Sequence, residues 1–275
     1  MSEKTVLITG CASGVGRATA YAFLEEEWSV YTTARNPADV ETLGDAGCDI
    51  SKLDVTDPDD VERVVERTID DAGRIDGLVN AAGFGQYGPI EDLDDERFER
   101  QFDANVFGPH RLIRAVLPHM REREEGTIVN VSSIAGRFAA PGIGAFAASK
   151  HALEGYSDSL RPEVEGFGID VCVIQPGPIK SRNDEQPNAE IGRLDRTDVY
   201  ESLYSFLEDA SLFGGDSPIA VHPAEVAEAV VEATVSPNPE PRYVVGAAAQ
   251  LAIYASYLPS PIRDQVFKTI RRVSR

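Results

Sequence analysis

The sequence predicts an α/β protein built on a doubly wound parallel sheet in a single domain. Three observations carry that reading. Apolar runs suited to strands alternate with helix-like stretches from the amino end onward. The first run, residues 6–8, leads directly into a glycine-rich turn and then a helix-like stretch at 17–26. The alternation continues over most of the 275 residues, with no internal repeat and no low-complexity linker. Such alternation favours parallel strands joined by helices that cover both faces of one sheet, and a chain of this length can bury one large core.

The elements follow in order. The stretch TVLITGCASGVG at 5–16 sets Gly10, Gly14 and Gly16 between strand and helix. Without β-carbons these positions let backbone approach a phosphate, and the amino end of the helix adds free N–H groups and a positive dipole end. The spacing is Gly-x3-Gly-x-Gly, not the Gly-x-Gly-x2-Gly of the long-chain dinucleotide folds. Residues 29–33 read as a second strand and 48–53 as a third, with a short polar helix or turn opened by Pro37 between them. Residues 57–72 read as a helix. Asp57 can cap it, Pro58 suits its first position, and Val61, Val64, Val65 and Ile69 form one apolar face.

A fourth strand is expected at 76–80, ending in small residues, and a long helical stretch at 94–122 with a break near Gly108 and Pro109. Residues 127–132 read as a fifth strand, 146–165 as a helix and 169–174 as a sixth strand. Residues 178–222 then become polar and acidic, with scattered aromatics at Tyr200, Tyr204, Phe206 and Phe213. An insertion after the carboxyl end of a strand is placed to cover a substrate in a doubly wound fold. A helix at 223–234, a seventh strand at 242–245 and a helical tail at 247–275 complete the chain. The tail ends in Lys268, Arg271, Arg272 and Arg275, favourable charge for a helix carboxyl end.

Lys and Arg number 26 against 46 Asp and Glu, a formal net charge of −20. Such a surface repels nucleic-acid phosphate and anionic lipid, so neither is expected as a partner. We read it as a surface adapted to high salt, where self-repulsion is screened, and hence to a salt-rich cytoplasm. Cys11, Cys48 and Cys172 share no metal or redox spacing, and an odd count without a signal-like leader fits reduced thiols in the cytoplasm. No run of about 18 strongly apolar residues reads as a membrane span. Residues 243–258 come nearest, but they are rich in alanine and carry Gln250. His110, His119 and His222 have no partners at ligand spacing, and His151 points away from its neighbour Lys150 on a helix, so no metal site is expected. The Gly-x-Ser-x-Gly elbow of a serine hydrolase is missing.

Several motifs occur in one order: TGCASGVG at 9–16, Asp54 after the third strand, NAAG at 80–83, DANVFG around Asn105, VSS at 131–133, ASK at 148–150 and PGPIKS at 176–181. In these motifs the chain resembles the short-chain dehydrogenase/reductase family over almost its whole length. The resemblance implies a Rossmann-like fold and a nicotinamide dinucleotide. Thr9, Gly10, Ser13, Gly14, Val15 and Gly16 would hold the pyrophosphate, and Asp54 with Val55 would meet the adenine. Asn80, Ala81, Ala82 and Gly83 would close the cofactor cleft. Pro176, Gly177 and Ile179 would flank the nicotinamide, with Ser181 near its carboxamide and Lys150 on its ribose.

The choice of cofactor has its own argument. An acidic residue ending the second strand would bind the ribose hydroxyls of NAD and repel the extra phosphate of NADP. Here that place reads Thr33-Ala34-Arg35. Arg35 can pair with the phosphate, so NADP(H) is expected in preference to NAD(H).

Carbonyl reduction needs a hydride on carbon and a proton on oxygen. In the resembling family a tyrosine supplies the proton, its phenol made usable at neutral pH by a lysine four residues later. A serine holds the substrate oxygen, and an asparagine helps place water beside the lysine. The resemblance assigns Lys150, Ser133 and Asn105 to these roles. The residue four before Lys150 is Phe146, and none of the nine tyrosines has a lysine four residues on. A positioned acid contributes about 10²–10⁴-fold, roughly 3–5.5 kcal/mol of barrier, so turnover is expected to be weak.

Three readings stay open. In the first, the chain is still an oxidoreductase, with water held by Lys150, Ser133 or a nearby Tyr87 delivering the proton. In the second, the substrate needs no protein acid. In the third, the chain is a sensor or scaffold that binds NADP(H) and has lost catalysis. Phe84, Tyr87, Phe138, Ile143, Tyr204 and Phe206 are expected to line the pocket, which suits an apolar substrate. The resemblance further implies a homodimer or homotetramer assembled through the helices at 94–122 and 146–165.

Overall fold

A computed structural model describes residues 4–180, 191–208 and 219–265. Seven parallel strands form one sheet: β1 (Thr5–Ile8), β2 (Ser29–Ala34), β3 (Asp49–Lys52), β4 (Gly77–Asn80), β5 (Gly126–Val131), β6 (Ile169–Pro176) and β7 (Arg242–Val245). Their spatial order is β3-β2-β1-β4-β5-β6-β7. The chain starts in the middle, winds outward to β3, then returns to β4 on the other side of β1. This Rossmann-like order opens a crevice between the carboxyl ends of β1 and β4, where the winding reverses.

Alternate residues of each strand feed two cores. Val6 and Ile8 of β1 point to one face, where Ala20 and Phe23 of α1 (Gly14–Glu25) pack with Val226 and Val230 of the helix Pro223–Val235. Leu7 points to the other face. There it meets Val61, Val64 and Val65 of α3 (Pro58–Ala72) and Leu112 and Val116 of α5 (Gly108–Arg123). Two buried faces explain why the strands read as continuous apolar runs rather than alternating ones. The helix α3 is capped as its sequence requires: Asp57 accepts from the N–H groups of Asp59 and Asp60, Pro58 occupies the first turn, and Gly73 closes the far end with φ 74°.

The long helical stretch departs from expectation in one place. It divides into α4 (Asp95–Phe102), a π turn at Asp103–Phe107 and then α5, so the irregularity lies one turn before Gly108–Pro109. Pro109 has no N–H to give to the Asn105 carbonyl four residues back, so the α pattern cannot close there. The Gly108 N–H instead reaches five residues back to the Asp103 carbonyl. The widened turn carries Asn105.

The helix α6 (Gly144–Val164) begins two residues earlier than the sequence suggested. The insertion contributes α7 (Glu201–Glu208), and the chain resumes with α8 (Pro223–Val235) and, after β7, α9 (Ala247–Ser256). The expected single tail helix is interrupted: α9 ends at Ser256, and helix resumes at 260–265 after a turn next to Pro259. Phe213, Ser181 and the basic residues from Lys268 onward lie outside the described residues. Among the described residues, no helix is long and apolar enough to cross a membrane.

Candidate active site

Most of the residues singled out in the sequence cluster at the carboxyl ends of the strands. The turn after β1 is set by its glycines. Gly10 has φ 75°, and a β-carbon there would lie 2.7 Å from Ala82 Cα. A β-carbon on Gly16 would lie 2.5 Å from the Gly10 carbonyl oxygen. Gly14, at φ 58°, has open space where its β-carbon would stand. Thr9 ties this turn to the next loop: its hydroxyl accepts from the Ala81 and Ala82 N–H groups at 3.2 and 3.1 Å. Ser13 precedes α1 in an extended conformation and makes no side-chain cap, while Val15 turns its side chain into the core. The amino end of α1 thus faces outward with its N–H groups uncapped by a side chain and no acidic residue in its first turn. A turn folded tightly at Gly10 and Gly16, open at Gly14 and set beside a helix end with no side-chain cap, fits a pyrophosphate.

Arg35 directly follows β2 and is exposed, with no hydrogen bond or ion pair among the described residues. Asp54 is half-buried, and its carboxylate accepts from the Thr56 N–H and hydroxyl at 3.0 and 2.7 Å. Val55 is buried, its carbonyl accepting from Arg111 at 3.2 Å. Asn80 faces the interior of the sheet, where its amide donates to Asn130 Oδ1 at 2.8 Å, and Asn130 in turn donates to Ser157 on α6. This chain of buried amides fixes the ends of β4 and β5 against α6. Gly83 is exposed at the cleft rim. Pro176 and Gly177 are buried at the end of β6, and Ile179 forms a parallel bridge with Val221.

The chemistry-bearing side chains come from β5, α6 and the π turn. Ser133 caps a short turn, its Oγ accepting from the Ala135 N–H at 3.1 Å while its own hydrogen stays available. Its neighbour Ser132 is buried, and its Oγ has no partner among the described residues. Lys150 is buried, and its ammonium donates to the Val131 carbonyl at 2.8 Å. Burial pushes its pKa down to about 8, partly opposed by the charge of Glu154 one helical turn on. The Lys150 Nζ lies 5.8 Å from the centroid of the Phe146 ring. Position 146 therefore faces the lysine as the family pattern requires, but with a ring that has nothing to donate.

The Asn105 side chain holds a neighbouring loop. Its amide nitrogen donates to the Phe84 carbonyl at 3.0 Å and to Ser149 Oγ at 3.1 Å, and its Oδ1 accepts from the Phe84 N–H. The side chain is thus committed to clamping the loop after NAAG.

One of the expected pocket residues needs correction. Tyr204 is fully buried and its hydroxyl donates to Asp92 at 2.5 Å, so it belongs to the packing of the insertion and not to an open wall. It shares that cluster with Ile191, Leu194, Leu203 and Leu207, against which Tyr87, Ile143 and Phe206 pack. Phe84, for its part, lies beneath the Arg100 guanidinium, 5.4 Å from ring centroid to charge. The insertion docks where glycines make room: β-carbons on Gly88 and Gly142 would lie 2.5 and 2.7 Å from Leu194 and Leu207.

Sequence reasoning passed over Glu154 and Gln101. Glu154 is buried, accepting from Gln175 Nε2 at 2.8 Å and pairing with Arg242 at 3.0 Å, which joins α6 to β7. Its spacing of four from Lys150 was the available signal. Gln101 joins the Asn105 clamp, donating to the Phe84 carbonyl at 2.8 Å and accepting from the Gln86 N–H. Cys11 in the glycine turn is buried, and burial pushes its thiol up to about 12, so it is an inert thiol at neutral pH.

The doubly wound sheet, with its crevice at the reversal of strand order, places the chain among α/β proteins of Rossmann-like fold. The profile of the short chain dehydrogenase family matches residues 4–192, and the chain belongs to that family. It is 41% identical over 187 residues to an uncharacterized oxidoreductase, YbbO, of Escherichia coli K12, covering 68% of this chain and 70% of that one. It is 34% identical over 276 residues to the 3-ketodihydrosphingosine reductase of Bacteroides thetaiotaomicron, covering 98% and 100%. A short-chain dehydrogenase from Streptomyces avermitilis superposes with a TM-score of 0.84 at 31% identity, covering 100% of this chain and 99% of that one.

Proposed function

We propose that this chain is an NADP(H)-dependent oxidoreductase that interconverts a carbonyl and an alcohol on an apolar small molecule. The observation that carries the reading is the Lys150 ammonium poised over position 146, with Ser133 nearby in sequence order and a β-carbon-free cradle at the head of α1. Bound in that cradle, the reduced nicotinamide would supply the hydride. Gly10 and Gly16 let the turn fold tightly against its own backbone and Ala82, Gly14 leaves the side of the pyrophosphate open, and Arg35, without a partner among the described residues, pairs with the adenosine phosphate of NADP(H). Lys150 donates to the nicotinamide ribose while its charge favours developing negative charge on oxygen. Ser133 donates its free hydrogen to the substrate oxygen. The apolar cluster of the insertion beside Tyr87 and Ile143 supports an apolar substrate, as does the relative that reduces 3-ketodihydrosphingosine.

A second reading has a specific observation behind it. Phe146 removes the hydroxyl worth about 10²–10⁴-fold in rate, which favours a protein that binds NADP(H) as a sensor or scaffold. Titration with NADPH, followed by assay of wild type and Phe146→Tyr on dodecanal, 2-dodecanone and acetophenone, separates the two. Binding with turnover supports the enzyme; binding with no turnover by either form supports the sensor.

We further read the protein as cytoplasmic, a homodimer or homotetramer, and adapted to salt by its acidic surface. Unfolding is then expected to require more heat at molar salt than in dilute buffer, and equal stability in both would contradict the salt adaptation.

A further inference from the structure

We propose that Tyr87 delivers the proton that a hydroxyl at position 146 would otherwise supply. The inference rests on the oxidoreductase reading above and names the acid of that site. The Tyr87 ring packs against Phe146, with centroids 5.9 Å apart and planes tilted by 59°. Its hydroxyl lies over Gly85, where a β-carbon would come within 2.5 Å of the oxygen, so the glycine is what seats the phenol.

The other tyrosines of this region are committed elsewhere. Tyr200 donates to Glu91 at 2.7 Å and Tyr204 to Asp92 at 2.5 Å, while Tyr156 is engaged with His110. Tyr87 makes no side-chain hydrogen bond among the described residues; only its carbonyl is engaged, by Gln86. A phenol with no protein partner, packed on the ring that lacks one, is placed to serve a substrate oxygen.

The loop carrying Tyr87 is also held still. Asn105 and Gln101 fasten the Phe84 carbonyl, Asn105 fastens the Phe84 N–H, and Gln101 fastens the Gln86 N–H. Positioning of this kind is what a proton donor needs. The Asn105 clamp thereby gains a purpose at the site: it positions the loop that carries Tyr87.

Burial raises the Tyr87 phenol above its usual value. Burial is the sole cause of that shift, with no charged group contributing to it. At neutral pH the phenol keeps its proton, as an acid must. In reduction, a bound reduced nicotinamide would supply the hydride for the new C–H bond, leaving the C=O π pair on oxygen. That oxygen takes the Tyr87 proton as the phenolic O–H bond breaks, and solvent water reprotonates the phenolate.

The test compares wild type, Tyr87→Phe, Phe146→Tyr and the double variant. NADPH affinity is read by fluorescence and turnover on dodecanal, 2-dodecanone and acetophenone. Tyr87→Phe is expected to leave NADPH affinity within about twofold and to lower turnover at least about tenfold, with a much smaller loss when Tyr stands at 146. In cofactor-free protein, the phenolate difference spectrum between wild type and Tyr87→Phe is expected to develop only above the ordinary tyrosine range. Unchanged turnover in Tyr87→Phe, the same loss in both backgrounds, or phenolate already present at pH 8 overturns the Tyr87 role. Wild type that is inactive beside an active Phe146→Tyr also overturns it, while the oxidoreductase reading stands. No turnover by any form that binds NADPH overturns both.

Discussion

The glycine turn after β1 and the face of α6 that carries Phe146 and Lys150 use side chains in opposite ways. The turn works through atoms left out: added carbons at Gly10 and Gly16 would strike backbone at 2.7 and 2.5 Å. The α6 face works through atoms put in: an ammonium on the Val131 carbonyl, and a ring where the family pattern has a phenol. Backbone cannot be moved aside cheaply, so the turn has one solution. A hydroxyl can approach a substrate from more than one loop, so the α6 face can lose its own donor and keep its chemistry. The comparison teaches that binding and proton delivery in this fold can be altered separately.

The largest effect that would sharpen this contrast is a gain. In the Tyr87→Phe background, Phe146→Tyr is expected to raise reductive turnover by about a hundredfold or more while leaving NADPH affinity unchanged; steady-state rates beside a fluorescence titration check it. The opposite operation on the turn should show the opposite pattern. Gly16→Ala is expected to weaken NADPH binding about ten- to hundredfold, from overpacking of about 1–3 kcal/mol, with a lower unfolding temperature. If Gly16→Ala binds normally, the backbone contact is not the constraint it looks.

Arg35→Glu comes next. Losing a charge-assisted bond to the adenosine phosphate should cost NADPH about tenfold or more in affinity, while the new carboxylate tightens NADH, which paired titrations would read. The smallest effect concerns Lys150. Its folded pKa is lowered to about 8 by burial, whereas an unfolded lysine holds its proton to about 10.5. Between those values the unfolded chain binds more protons, so this residue's unfavourable contribution fades as pH rises. Wild type should therefore gain stability relative to Lys150→Met from pH 8 to pH 10.5, measured as the difference in unfolding temperature. A difference that stays constant would place the lysine in a wetter site.

Much of this was legible in the sequence, for physical reasons that differ by region. The strand–turn–helix at 5–16 is readable because glycine placement and strand apolarity are local properties, and the cap of α3 is likewise written in Asp57-Pro58. The five inner strands follow from apolar runs buried on both faces, whereas the edge strands β3 and β7 are only partly buried. The π turn was not legible, because it depends on Pro109 withholding a bond from a carbonyl four residues earlier while Asn105 is held by a distant loop. Nor was the fate of Tyr204: an aromatic in a polar insertion reads as a pocket wall until Asp92, more than a hundred residues away in sequence, accepts its hydroxyl. The Glu154–Arg242 pair needs the same kind of long-range contact. Phe146 was fully visible, since the absence of an oxygen is a property of one letter.

The most direct measurement is a fluorescence titration of the purified protein with NADPH and, in parallel, NADH. Saturable binding of NADPH, tighter than NADH, is what the cradle and Arg35 require. No saturable binding of either dinucleotide, at low or high salt, would contradict the account at its root.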